Sequence, residues 1–445
     1  MRGLLAAVFV ALLSPLTSHA DDWPQWMGPK RDDIWRETGI LDKFPPGGPK
    51  VLWRVPINAG YSGPAVVANR IFVMDRQKGD GPRTDKGRPG TERVLCLDAA
   101  NGQIVWEHSY DCPYRIDFPT GPRCTPVVDH GEVYTLGAMG DLLCLDAAKG
   151  AVLWTRQLMN DYGSKNPPVW GFAAHPLIDG DKLISLVGGD GSAVVAFDKH
   201  SGKELWKALT TTEIGYAPPQ IIEAGGKRQL IIWHTDAIAG LDPETGKVNW
   251  SIDYPLEGKS RRPGVTIAAP RRSGDQLFFT SFYDGCTMLQ LSKDKPAATV
   301  QWNRKSTSET KFNEGLHTVM CTPVFKDGYL YGVCGQGELR CLSAANGDRV
   351  WETTAATGGK SEASHAFLVA HEDRYFLFND QGDLIIARLT PQKYDEISRA
   401  HLLDTSQSAR GKEVVWSHPA FANRCVYARN DKEIICVSLA AERTP

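Results

Sequence analysis

Apolar and polar positions alternate along this chain in short bursts, and one eleven-residue arrangement of them recurs five times. The copies read CLDAANGQIVW (96–106), CLDAAKGAVLW (144–154), AFDKHSGKELW (196–206), GLDPETGKVNW (240–250) and CLSAANGDRVW (341–351). Each opens on an apolar run that predicts a buried strand. An Asp or Ser then bonds amides two residues on, and Gly102, Gly150, Gly202, Gly246 or Gly347 supplies a left-handed turn position at no steric cost. The phrase closes on Trp106, Trp154, Trp206, Trp250 or Trp351, on a return strand where a large ring fills the seam between neighbouring units. Two more strands precede the phrase, as in CTPVVDHGEVYTLGAMGDLL (124–143) and CTPVFKDGYLYGVCGQGEL (321–339). Four short antiparallel strands repeating every 45 to 50 residues or so describe a β-propeller blade.

The blades can be counted from their first strands, which follow Gly63-Pro64, Thr125-Pro126, His175-Pro176, Pro218-Pro219, Ala269-Pro270 and Thr322-Pro323, with degenerate starts at His365-Ala366 and His418-Pro419. That gives eight, seven being the alternative. Blade five keeps Trp302 although SKDKPAA replaces its Gly turn, and blade seven carries Ile397 at the Trp place. Blade eight ends near Leu439, one strand short. PKVLWRVPI (49–57), with Trp53, is an orphan strand ahead of blade one, and pairing it with blade eight would close the ring and remove both sheet edges. The expectation is an all-β, eight-bladed β-propeller over residues 49–442, preceded by an N-terminal extension at 21–48.

Residues 1–20 have the anatomy of a secretory signal peptide: Arg2, an apolar run LLAAVFVALL and the small-residue site Ser18-His19-Ala20. The run is too short to span a bilayer, and no Cys follows the cleavage site to carry a lipid. These features predict a periplasmic or secreted protein without a transmembrane segment. Removing Arg2 with that segment leaves 49 basic against 52 acidic side chains, a near-balance that argues against nucleic acid as a partner. Ten Cys in an exported chain invite disulfides. Most, however, fall at equivalent repeat positions (Cys96, Cys144, Cys341 and Cys436; Cys124 and Cys321), which suits small buried hydrophobes. Cys112 with Cys124 is the pair that invites a bridge.

The phrase, the blade count and the terminal Trp strand together resemble the PQQ-repeat propellers over essentially all of residues 21–445. That resemblance implies the fold. It leaves two activities open, because the superfamily holds quinoprotein alcohol dehydrogenases, which bind pyrroloquinoline quinone (PQQ) and Ca²⁺, and non-enzymatic relatives such as the BamB subunit of the outer-membrane barrel assembly machinery. The chain departs from the dehydrogenases in having no adjacent Cys pair and no haem-attachment sequence, and no Ca²⁺ ligand or catalytic Asp can be carried over by motif. It departs from BamB in lacking a lipidated Cys.

Candidate binding residues follow from the loops that lead into the first strand of each blade, because these converge on one mouth of the central channel. Four of them are long (111–123, 159–172, 253–267 and 306–320), and loops of that length in a compact fold are usually functional or mobile. They hold Arg115, Arg123, Trp170, Arg261, Arg262 and His317, with Tyr61 and Tyr216 from shorter equivalents. Arg with aromatics suits a planar or anionic group or a protein hot spot. His175, His365 and His418 share one repeat position. His365 and His418 are neighbours that would share a metal or an acid group, with His175 facing them, or else bond to adjoining blades; no metal-ligand spacing accompanies them. An insertion in blade one, RQKGDGPRTDKGRPGTER (76–93), reads as a mobile basic hairpin tip suited to an acidic partner or to solvent. The function these features imply is a monomeric, non-catalytic scaffold binding an envelope protein or small ligand at one face. The alternative is a divergent PQQ- and Ca²⁺-dependent dehydrogenase; a hydrolase or lyase using the channel histidines is a weaker third.

Overall fold

Every blade grows from the same local chemistry. In blade one the strands are Ala65–Val67, Arg70–Lys78, Gly90–Asp98 and Ile104–Asp111, joined in sequence order by antiparallel pairing. The two middle strands are buried almost throughout, whereas the outermost alternates exposed and half-buried residues. Six further four-stranded sheets repeat this order within residues 127–157, 177–208, 220–253, 271–304, 324–353 and 366–401. The eighth contains Ala420–Ala422, Cys425–Arg429 and Glu433–Ser438, and its outer strand is Val51–Pro56 from the other end of the chain. The protein is therefore an eight-bladed β-propeller closed by its N-terminal strand, with Trp53 opposite Cys436. The computed structural model describes residues 21–258, 263–307, 313–409 and 411–441.

The repeated Trp and Gly meet across the seams. Trp53, Trp106, Trp154, Trp206, Trp302 and Trp351 each donate their indole N–H to a carbonyl of the following blade at 2.8–3.2 Å. The turn Gly of that following blade lies under the ring: a Cβ on Gly102, Gly150, Gly202, Gly246 or Gly347 would stand 2.5–2.8 Å from the indole of the blade before, and all five have φ between 68° and 76°. Blade five lacks the Gly, and Trp250 donates instead to Gln229 of its own blade at 2.7 Å. In all eight blades the outer strand carries a register shift just before this position, leaving one residue, such as Leu52, Val105, Leu153 or Leu205, outside the pairing. A bulge of this kind twists the strand and re-aims the next side chain; here it turns the Trp into the seam.

That register corrects one sequence expectation. Ile397 is the bulged residue of blade seven, and Ser398, opposite Ile386, stands in the Trp place. Ser398 Oγ accepts a hydrogen bond from Phe44 N at 3.1 Å, and buried Phe44 joins the core on which Ile397 packs. The N-terminal extension thus fills the seam that has no Trp. The same extension crosses the face opposite the long loops. Trp23 exchanges backbone hydrogen bonds with Val66, Pro24 accepts from Val128, Trp35 N donates to Ala370 O, and Leu41 N donates to Leu439 O.

The cysteines also need one correction. All ten are buried thiols, and Cys112 does not bridge to Cys124: Cys112 Sγ lies 3.6 Å from Asp141 Oδ2 and Cys124 Sγ lies 3.8 Å from Phe172 O. The repeat-equivalent positions hold them as small core residues. The insertion of blade one is likewise not a detached tip. Its strands run on to Lys78 and from Gly90, and residues 87–90 are pinned to the next loop by reciprocal Arg88–Tyr114 backbone bonds of 2.9 Å.

Candidate functional site: an aromatic pit in the ring

The central channel is closed at one end. Trp26, in the N-terminal extension, stacks on His175 with ring centroids 4.7 Å apart and interplanar angle 9°, and its other side approaches His418 at 6.2 Å. Arg31 bolts this floor in place by donating to the carbonyls of Pro176, His175 and Pro219 at 2.9, 3.3 and 3.4 Å. Burial of its guanidinium lowers the Arg31 pKa to about 10. Arg271 in turn donates to the carbonyls of Arg31 and Asp32. Buried cations bonded to carbonyls on separate blades fix the geometry more firmly than one surface pair.

Above the floor is a pit of about 200 Å³ that opens on the long-loop face. Nine aromatic side chains line it. Trp26 is the floor; Tyr61, Phe118, Trp170, Tyr216 and Trp416 come from the segments entering the inner strands, Phe367 from the inner strand of blade seven, and Phe282 and Tyr283 from the turn between the two middle strands of blade five. Trp170 and Tyr216 lie 5.1 Å apart, with Trp170 N donating to Tyr216 Oη at 3.3 Å. Trp416 sits between Tyr61 (6.3 Å) and Phe118 (5.9 Å), and its indole N–H is buried without a hydrogen-bond partner among the described residues. Arg123 lies over the Tyr61 ring at 5.1 Å and donates to the carbonyls of Gly121, Asp117 and Phe118.

The proposed residues divide accordingly. Tyr61, Arg123, Trp170, His175, Tyr216 and His418 face the pit. Arg115 is exposed outside it, and Arg261 and Arg262 lie outside the described residues. His317 stands behind the wall, accepting from Ser306 N at Nε2 (3.1 Å) and facing the Phe282 carbonyl with Nδ1 (2.8 Å); burial lowers its pKa to about 4. That makes it a brace for Phe282 rather than a ligand. His365 lies behind Trp416, 6.2 Å between rings, and burial lowers it too to about 4.

No three metal-ligating side chains gather at the histidines among the described residues, and the Phe367 ring packs against both His365 and His418, with centroids 4.8 and 4.7 Å away. His175 Nδ1 accepts from Thr125 N of the preceding blade at 3.0 Å, which keeps that nitrogen unprotonated, and burial followed by Arg31 depresses its pKa. His418 Nδ1 faces Pro419 O at 2.7 Å and its Nε2 lies 3.1 Å from Asp33. Trp26 occupies the space between the two rings. Phe118 lies in the loop whose candidates by sequence are Arg115 and Arg123. Trp416 was reachable by applying the same pre-strand rule to degenerate blade eight, whereas nothing local to Trp26 marks it as a floor.

A quinone–Ca²⁺ centre does not suit the described residues. Ca²⁺ needs six to eight oxygen ligands, yet among the described residues Glu362 is the single carboxylate on the pit wall, and no three His, Cys, Asp or Glu side chains converge. Arg123, which lines the pit, already serves three carbonyls.

Known proteins of this shape fall into both activity classes. BamB from Moraxella catarrhalis superposes with a TM-score of 0.58 at 16% identity, covering 87% of this chain and 99% of that one. The quinohemoprotein alcohol dehydrogenase from Comamonas testosteroni gives 0.58 at 11%, covering 95% and 81%, and a europium-containing methanol dehydrogenase gives 0.57 at 13%, covering 94% and 89%. At such identities the likeness is one of fold. No protein of curated function matches in sequence. The sequence profile of the family described as outer membrane protein assembly factor BamB matches residues 90–353, and with more than half its length inside that profile the chain belongs to this PQQ-like repeat family.

Proposed function

We propose that the protein is an exported, non-catalytic scaffold of the cell envelope, and that the aromatic pit is its recognition site. The observation that supports this reading is the pit's composition: nine rings around about 200 Å³, with Arg123 and His175 bonded to backbone groups of the fold. General acid–base work needs a group with a free nitrogen near neutrality, whereas His175 and His418 are spent on the backbone and on Asp33. A cavity of 150 Å³ accepts benzene, so this one has room for one ring-bearing group of a ligand or partner. The secretory character of residues 1–20 and the name of the matching family favour the envelope, with the ring working as a monomer.

Titration with N-phenyl-1-naphthylamine, a neutral dye that fluoresces in apolar sites, tests the pit. Saturation near one dye per chain is expected, weakened at least tenfold by Trp170→Ala and by Trp416→Ala while circular dichroism stays that of the native ring. Binding that ignores both substitutions places recognition elsewhere. Titration with PQQ, with and without Ca²⁺, separates the dehydrogenase reading: we expect no saturable, Ca²⁺-dependent binding, and its appearance together with alcohol-dependent reduction of an artificial acceptor would replace the scaffold by an enzyme.

A further inference from the structure

A second recess adjoins the pit on blade one, where residues 83–88 of the insertion fold against residues 114–119. Arg83, Arg88, Tyr114, Ile116, Asp117 and Phe118 line it. Phe118 also lines the pit, so one ring is the partition between the two.

The recess is positively charged and under-compensated. Arg83 and Arg88 are exposed, and their side chains have no hydrogen-bond or ion-pair partner among the described residues. Beneath them Arg76 is 4% exposed and stacks on Tyr114 at 4.1 Å. It donates to the carbonyls of Arg88 and Pro89 at 2.9 and 2.7 Å, and it forms no ion pair with any described residue. Its Nε has no partner. Arg123 approaches the same Tyr114 ring at 6.0 Å from the pit side. Glu92, opposite Arg76 in the strand pairing, is occupied in accepting from Tyr110, Tyr114 and Ala138 N, and burial raises its pKa. Asp117 is the only carboxylate on the recess wall. Carbonyls satisfy the donors of a buried guanidinium without neutralising it, and an arriving anion recovers part of that cost.

We propose that this recess binds carboxylates of an extended acidic stretch of a partner protein, whose neighbouring aromatic side chain enters the pit across Phe118. The proposal rests on the pit being a recognition site. A small anion would engage the arginines alone. An extended peptide carries acidic and apolar groups within a few residues of each other, about 3.3 Å apart along the chain, and so suits two recesses of opposite chemistry with a common wall. On a chain of formal net charge −2, a basic shelf favours steering and orientation of an acidic segment.

The probe is fluorescein-labelled hexaglutamate ending in phenylalanine amide, followed by anisotropy beside hexaglutamate alone and hexaglutamine-phenylalanine amide. The acidic-aromatic peptide is expected to bind most tightly. Its Kd should rise at least tenfold between about 50 and 300 mM salt, and at least tenfold again in the Arg83→Glu/Arg88→Glu variant. Unchanged N-phenyl-1-naphthylamine binding in that variant shows that fold and pit are intact. Equal binding of the glutamate and glutamine peptides, indifference to the charge reversal, or no binding of the acidic-aromatic peptide overturns the proposal. Hexaglutamate binding as well as its phenylalanine form overturns the part played by the pit and leaves the shelf; loss of dye saturation in the parent protein defeats the pit reading itself.

Discussion

Gly150 and Trp106 belong to different copies of the repeated phrase, yet neither can change without the other. Gly150 has φ +71°, and a Cβ there would lie 2.5 Å from the Trp106 ring. Gly150→Ala therefore combines left-handed strain of about 1–2 kcal/mol with displacement of the indole, and we expect a loss of roughly 2–4 kcal/mol in urea unfolding. Trp106→Ala should cost about 3–5 kcal/mol. The double variant should lose less than the sum, because contacting residues are coupled; strict additivity would mean the two do not form a unit. The buried histidines make a second residue-scale prediction. Unfolded, they protonate near pH 6.5; folded, His317 and His365 do so only at about 4, and His175 is also held well below its usual value. Between those limits the unfolded chain binds more protons, so these histidines make stability fall as pH falls from 6.5 to 4. The melting temperature of His317→Gln should depend less steeply on pH in that window than the parent's; parallel curves would place a solvated imidazole at 317. The Trp and Gly were readable because both sit inside one short phrase. His317 as a brace was not, since its partners Ser306 and Phe282 are neighbours only after two blades have packed.

The outer strands and the N-terminal extension do different work from what their sequences suggest. Five of the eight outer strands carry an exposed apolar residue at the bulge, namely Leu52 (47%), Val105 (43%), Leu153 (50%), Leu205 (51%) and Val350 (46%), whereas blades four and five place Asn249 and Gln301 there. A bulge interrupts the row of unpaired amides that a long flat edge would offer to another molecule. The extension reads as polar punctuation around three Trp, yet it supplies a floor and a seam filler before it leads into the closing strand. Its role at blade seven gives the element-scale prediction. Phe44 is 6% exposed where the other seams hold a Trp, so Phe44→Ala should destabilise by about 3–5 kcal/mol in urea unfolding. Phe44→Trp should be tolerated far better; equal losses would mean that Phe44 is not a substitute for the missing ring. Blade seven misleads because its turn is longer: the paired Ile386 and Ser398 are 12 positions apart, where the paired Cys96 and Trp106 are 10. A sequence reader counting from the apolar run arrives at Ile397, while the pairing arrives at Ser398.

For the whole molecule the decisive contact is the one that joins the two ends of the chain. Deleting residues 21–57 removes the partner of Glu433–Ser438 and exposes two edges at once, so size-exclusion chromatography should find aggregates in place of a smaller ring. A monomeric, cooperatively melting truncation would mean that the propeller seals some other way. Blade number and closure were legible from the chain because repeats announce themselves and a strand short at one end matched a strand spare at the other. The pit's chemistry was only half legible: the converging loops were identified, but which of their side chains point inward depends on how eight wedges tilt around an axis.

That end-to-end contact also sets an order of events. Trp53 is among the first residues of the ring to be made, yet Cys436, opposite it, is among the last. A chain delivered N-terminus first, whether from the ribosome or through a translocation channel, therefore carries its latch before its catch exists. Blades one to seven can form by local pairing as they emerge, since their strands are consecutive. The strand that locks them must stay extended and unmated until nearly the whole protein has arrived. For that interval Trp53 and its apolar neighbours are the most adhesive part of the molecule, and whatever shields them governs how many rings are completed.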